Sequence, residues 1–335
     1  MSNPLLAHQF VSLTHGNAAD ETLLADRVIR FLYSTVREEP SMLQQLAATP
    51  LASMALATWE FDRRLINPKK TIARAARRMG INLRECIDDL GNARTLRELF
   101  ERRIAYESVR PMPADTKAII SPADGKALAI GFAGDAMLPV KQRFISAREL
   151  LGREHVASGL HFNAGLVVRL TPDMYHYVHA PVSGVVRAHY WIEGALHSCN
   201  PGALVCFQRP YAMNRRRVTI IDTDVEAGSQ VGAIALVNVA AMMIGRIDDA
   251  YSVRDYADPQ SLTVGAHVAR GQPLALFRPG SSTSIILWDG ERARHTQYLR
   301  RNANRIDVRS RFSDWLLSPW VETAVSVRSL VAHSC

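Results

Sequence analysis

The sequence predicts an α+β protein, with an N-terminal helical region followed by a mainly antiparallel β domain. Three observations carry that expectation. Between Asp20 and about Phe100 the apolar residues recur at helical spacing. Beyond Pro111 and Pro113 they condense into short β-rich runs punctuated by Gly, Pro and Asp. With 335 residues, 47% of them hydrophobic, the chain can also bury a sizeable core.

Taken in order, Leu24, Val28, Phe31 and Leu32 fall on one helix face. Thr95-Leu96-Arg97-Glu98 has the form of a capping box, in which a threonine hydroxyl and a glutamate carboxylate satisfy the free amides of a helix start. Leu96, Leu99, Phe100 and Ile104 make the apolar stripe behind it. The runs 118–120, 165–168, 184–186 and 217–221 then read as strands, and no internal repeat is visible. The division that follows is a helical region over 1–115, a β-rich catalytic domain over 116–290 and a basic extension over 291–335.

Composition excludes several classes. The apolar stretch 231–245 is interrupted by Asn238 and is shorter than the ~20 residues a membrane span needs. The first residues lack the basic start and long apolar centre of a secretory signal, so a cytoplasmic location is expected, with peripheral membrane association open. Cys86, Cys199, Cys206 and Cys335 show no metal-ligand or disulfide spacing, and no metal is expected. The net charge of +8 favours anionic partners. No nucleic-acid signature accompanies it, so nucleic acid is not among them. In the extension, Arg292, Arg294, Arg300, Arg301, Arg305, Arg309 and Arg311 precede Trp315, Leu316, Leu317 and Trp320. That stretch reads either as a membrane-surface segment or as a solvated basic face whose apolar neighbours pack inward.

The chemistry starts from Arg278-Pro279-Gly280-Ser281-Ser282-Thr283-Ser284, which runs into the apolar Ile285-Ile286-Leu287-Trp288. A glycine between strand-like segments permits turns closed to other residues, and such a turn can bring a hydroxyl against the preceding carbonyl. By itself the step also reads as a plain hairpin loop. Three further segments change its weight. They are Ser121-Pro122-Ala123-Asp124-Gly125, Tyr175-His176-Tyr177-Val178-His179-Ala180-Pro181, and Lys141-Gln142-Arg143-Phe144-Ile145-Ser146 leading into Leu150-Leu151-Gly152. Together with the Gly-Ser step they resemble the phosphatidylserine decarboxylase family, from about Arg94 to Trp288.

The resemblance implies a proenzyme that cuts itself between Gly280 and Ser281. In that scheme Asp124 holds the imidazole of His179, His179 takes the proton of Ser281, and Ser281 attacks the carbonyl carbon of Gly280, turning the peptide into an ester. Loss of the Ser281 α-proton expels the Gly280 carboxylate, and the resulting dehydroalanine hydrolyses, with loss of ammonia, to a covalent pyruvoyl group. That group serves as an electron sink when carbon dioxide leaves an amino-acid headgroup. His176 is the candidate for handling protons during decarboxylation, and Tyr175 is a candidate pocket residue. The implied partner is an anionic phospholipid or a small amino-acid substrate. The cleaved chains are expected to stay associated, and a homodimer is compatible with the scheme.

The sequence also departs from the family pattern. Ser281-Ser282 is doubled, which leaves Ser282 as the other candidate precursor, and Pro279 replaces a small or aliphatic residue. Asn214-Arg215-Arg216-Arg217-Val218 carries arginine where the family has an acid, and Arg215, Arg216 and Arg217 could pair with a lipid phosphate or a free carboxylate. Conversion of phosphatidylserine to phosphatidylethanolamine is the leading reading. Decarboxylation of a soluble amino acid such as tryptophan, and a non-catalytic anionic-lipid-binding protein, are the alternatives.

Overall fold

In a computed structural model, the structure describes residues 8–13, 16–21, 49–131, 138–140, 143–153, 159–206, 210–242, 246–280, 282–313 and 319–335. The centre is a ten-stranded sheet. From one edge its strands are His267–Val268, Gly184–Ile192, Arg216–Asp222, Ala233–Ala240 and Ser282–Trp288. Ala164–Leu170, Gly125–Gly131, Thr323–Val325, Gln9–Val11 and Ala18–Asp20 complete it. Every pairing is antiparallel except that of Gln9–Val11 with Thr323–Val325.

The strand that follows the Gly-Ser step lies in the middle of this sheet, and all seven of its residues are buried. Its apolar run is explained by cover on both faces. Because side chains alternate along a strand, Ile286 and Trp288 enter one core with Leu166, Val168 and Leu236, whereas Ile285 and Leu287 enter the other with Val167, Val237 and Val218.

The helices form where local signals ask for them. The capping box at Thr95 is present, with Glu98 Oε1 accepting from the amides of Arg94 (2.6 Å) and Thr95 (3.1 Å). Helix Pro68–Met79 starts at Asn67, whose side chain accepts from Lys70 N, and stops at Gly80, whose φ of 72° suits glycine. It buries Ile72 and Ala76 and exposes Lys69, Lys70, Arg74, Arg77 and Arg78.

One part of the sequence reading needs amendment. The N-terminal 1–115 region is not helical throughout, because Gln9–Val11 and Ala18–Asp20 are strands. Their partner comes from residues 323–325, a separation no local pattern records. Within 291–335 the inward-packing alternative fits what is described. Ala293–His295, Thr323–Val325 and Leu330–Ser334 are sheet strands, Arg292 pairs with Asp224, Arg305 with Asp307, and Trp320 packs on a core. Leu24, Val28, Phe31, Leu32, Trp315, Leu316 and Leu317 lie outside the described residues.

Although the sequence shows no repeat, the β domain contains a twinned device. The chain entering each of two elbows, Pro122-Ala123-Asp124-Gly125 and Pro181-Val182-Ser183-Gly184, bonds to the first residue of the other, His179 N to Pro122 O at 2.7 Å and Ile120 N to Pro181 O at 3.1 Å. Each is clamped by a second segment in the same way. Arg328 N donates to Ser121 O and Ser121 N to Ser329 O, just as Gly271 N donates to Ala180 O and Ala180 N to Gln272 O. Val327 N then reaches Asp124 Oδ1, and Arg270 N reaches Ser183 Oγ. Glycine is required at both elbows, since a Cβ on Gly125 would lie 3.0 Å from Arg169 O and one on Gly184 2.2 Å from Asp222 O. Four residues of shared pattern are too few to stand out in the sequence.

A buried ion network ties the chain ends to the sheet. Arg169 Nη2 lies 2.7 Å from Glu21 Oε2 and 2.6 Å from Glu322 Oε2, with His8 at 2.9 Å from Glu322 and Lys126 at 3.3 Å from Glu21. Burial would raise the Glu21 carboxyl, but Arg169 and Lys126 overcome it and bring it down to about 2. His8, Glu21 and Glu322 are metal-ligand types, yet two cations already neutralise the carboxylates.

Candidate active site

The twin elbows bring the first two candidate residues together. Asp124 is the third residue of one elbow, and His179 ends the strand Tyr177–His179 that leads into the other. The Asp124 carboxylate accepts from Arg110 Nε (3.1 Å), Arg110 Nη2 (2.9 Å) and Val327 N (2.7 Å). Arg110 is shared with Glu85 at 3.0 Å.

His179 is fully buried, and its ring nitrogens have distinct partners. Nδ1 lies 2.8 Å from the carbonyl of Gly271. A carbonyl only accepts, so Nδ1 carries the proton and Nε2 keeps its lone pair. The Tyr175 hydroxyl, 2.9 Å away, donates to that lone pair. Burial pushes the His179 pKa down to about 4, so the ring is a neutral base at pH 7. Asp124 and His179 share no hydrogen bond among the described residues: Arg110 and Val327 hold the carboxylate, and Gly271 and Tyr175 the imidazole.

His176 obeys the same logic. Its Nδ1 is 2.8 Å from Met174 O, its ring lies against Phe100 with centroids 3.7 Å apart and planes tilted by 35°, and its buried Nε2 has no hydrogen-bond partner among the described residues. Burial pushes its pKa down to about 3. The strand Pro273–Phe277, which runs toward the Gly-Ser step, pairs with Tyr177–His179, and Phe277 N donates to His176 O at 3.0 Å. The histidine segment and the chain entering the step are therefore neighbours. Arg278 is anchored by Glu101 and by Asp248. Gly280 has φ 145°, a region only glycine adopts readily. Ser281 lies outside the described residues. Ser282 is already in the strand, in register with Leu170 and Ala240.

The other candidates divide. Tyr175 is fully buried and serves His179, with Tyr256 Oη 2.7 Å behind it. The three arginines do not all converge, although Arg215 and Arg217 share the Trp191 ring, at 4.5 and 5.5 Å. Arg215 lies 4.5 Å over the Trp191 ring and 3.2 Å from Glu193. Arg216 is buried and donates to the carbonyls of Leu150, Ala212, Asn214 and Glu149. Arg217 is buried and paired with Asp249. Arg110, Gly271 and Val327 escaped the sequence reading, because their place beside Asp124 and His179 comes from pairings 14, 92 and 203 residues long.

Residues 96–312 match the family model for phosphatidylserine decarboxylase. The chain belongs to this family. Among its curated relatives, the phosphatidylserine decarboxylase proenzyme of Anaeromyxobacter sp. (strain K) is 32% identical over 231 residues, covering 65% of this chain and 78% of the relative. The proenzymes of Myxococcus xanthus (strain DK1622) and Brevibacillus brevis (strain 47 / JCM 6285 / NBRC 100599) are 27% and 29% identical, covering 68% and 59% of this chain and 81% and 71% of theirs. The family match stops short of Val325–Ser329, the segment that clamps the Asp124 elbow.

Proposed function

We propose that this family member is a proenzyme that cuts itself between Gly280 and Ser281 and then decarboxylates phosphatidylserine to phosphatidylethanolamine. The observation that carries the reading is the joining of the two elbows, which sets a neutral, buried His179 beside Asp124 and beside the strand leading to Gly280. In the first step Ser281 Oγ takes the place of the Tyr175 hydroxyl on His179 Nε2, loses its proton to that nitrogen and attacks the Gly280 carbonyl carbon. The C–N bond breaks and an ester forms. Removal of the Ser281 α-proton releases the Gly280 carboxylate, and hydrolysis of the dehydroalanine leaves the pyruvoyl group and ammonia. The positive φ at Gly280 and the paired backbone of Ser282 favour Ser281 over Ser282 as precursor.

The surroundings fit such a group. Among the described residues, His176 Nε2 and Ser282 Oγ are buried without hydrogen-bond partners, as expected where a carbonyl-bearing group is yet to be held. When formed, the group supplies the sink for electrons released with carbon dioxide. His176 keeps a lone pair for proton transfer, and Phe100 packed on its ring excludes water from that side. After the cut, the smaller chain holds 55 residues. Its first strand is hydrogen-bonded on both sides, and Glu322 is in the buried ion network, so the chains stay together.

Membrane attachment of this enzyme falls to the helical region. Residues 63–84 contain eight basic residues and no acidic one, equal to the net charge of the whole chain. All eight are exposed, beside exposed Leu51, Trp59 and Ile66. Such a face suits an anionic bilayer, while no described helix is long and apolar enough to cross one.

Intact-mass measurement of denatured protein tests the reading. It should give chains 1–280 and 281–335, with carbon dioxide released from phosphatidylserine micelles and not from free serine or tryptophan. A single full-length mass from well-folded protein would remove the self-cleavage step.

A further inference from the structure

The twin clamps differ at one position. Gly271 and Arg328 make the same backbone bond, and both are left-handed, with φ of 80° and 69°. Glycine adopts this conformation freely, whereas a side chain is disfavoured there. An arginine at the strained position is consistent with a task for its side chain.

That side chain is unusually placed. Arg328 is 7% exposed, and its guanidinium carbon lies 4.9 Å from the Tyr106 ring centroid. The head rests against Gly271, so close that a Cβ there would be 3.1 Å from Nε. Among the described residues Arg328 has no ion-pair partner, and its buried Nε and Nη1 make no hydrogen bond. A second guanidinium, Arg270, is near enough for the Arg328 charge to help lower its pKa, after burial. Arg270, however, spends its Nη atoms on the carbonyls of Asp115, Ala118 and Pro113. A buried cation with free donors beside a second cation is costly unless an anion joins it. The place is the active site itself, because Tyr106 meets His179 edge-on at 4.8 Å, Gly271 O holds His179 Nδ1 and Val327 N holds Asp124.

We propose that Arg328 is an anion-binding residue that takes an oxygen of the substrate headgroup, either its carboxylate or its phosphodiester. The assignment rests on the phosphatidylserine reading and adds to it a contact from beyond the family-matched span.

The test compares wild type with Arg328→Gly and Arg328→Lys. Glycine is what the twin clamp carries, so Arg328→Gly should melt no lower than wild type. Titrated with soluble glycerophosphoserine, Arg328→Gly should bind at least tenfold more weakly, with Arg328→Lys in between. The same loss with glycerophosphoethanolamine, which lacks the carboxylate, assigns the phosphodiester. A loss confined to glycerophosphoserine and L-serine assigns the carboxylate. Unchanged glycerophosphoserine binding by a folded Arg328→Gly protein overturns the proposal. Headgroup binding is read without turnover, so a wild type that binds but releases no carbon dioxide would fail the functional reading and leave the Arg328 result standing.

Discussion

At the scale of single residues, protonation decides the chemistry. In the proposed self-cleavage His179 acts as a base only while neutral, and burial keeps it so down to about pH 4. Self-cleavage should therefore hold its rate from pH 8 to near 5 and fall below that, as followed by gel densitometry. A rate falling off near 6.5 would mean an exposed imidazole. Stability has its own pH dependence. His176 and His179 have folded pKa values below the ordinary 6.5, so the unfolded chain binds more protons between that value and about 3 to 4. Stability is then complete above 6.5 and is lost as pH falls, by roughly 1 kcal/mol per pH unit for each histidine. Denaturant melts at pH 7 and 5 should separate accordingly. His179→Ala and Asp124→Asn should stop maturation, whereas His176→Ala should mature and turn over slowly. Equal loss of cleavage in all three, by intact mass, would merge roles kept apart here.

At the scale of elements, Arg216 tests how a strand is anchored. It sits on strand Arg216–Asp222, and its guanidinium fastens carbonyls of helix Ala147–Leu151 and of the short helix Pro210–Met213. Arg216→Ala would leave those carbonyls without a donor and should cost about 2–4 kcal/mol of stability. The KM of the matured enzyme should stay near wild type. A raised KM with unchanged melting would return Arg216 to the substrate-binding role suggested by sequence.

At the scale of the whole molecule, the charge is segregated. Lys and Arg outside 63–84 are matched in number by Asp and Glu, so on the proposed membrane reading the net attraction to an anionic surface falls to this segment. Each basic residue near such a surface contributes about 1 kcal/mol. Changing Lys69, Lys70, Arg74, Arg77 and Arg78 to Gln should reduce sedimentation with phosphatidylserine vesicles at least tenfold. Raising salt should do the same to wild type, because exposed charges are screened. Unaltered vesicle binding by the five-fold variant would shift the contact elsewhere.

The sequence alone determined whatever depends on neighbours along the chain: the α+β class, the change of character after Pro113, the capping box at Thr95 and the four segments that mark the family. It also singled out Asp124, His176, His179 and the Gly280-Ser281 step. Tertiary structure alone decided which atoms those residues meet. Arg110 and Val327 on Asp124, Gly271 and Tyr175 on His179, the burial of Arg216, the N-terminal strands and the twinned clamps all arise from long-range sheet pairing. The energy of such pairings is paid between segments that no local spacing relates, and so they become legible only when the chain has closed on itself.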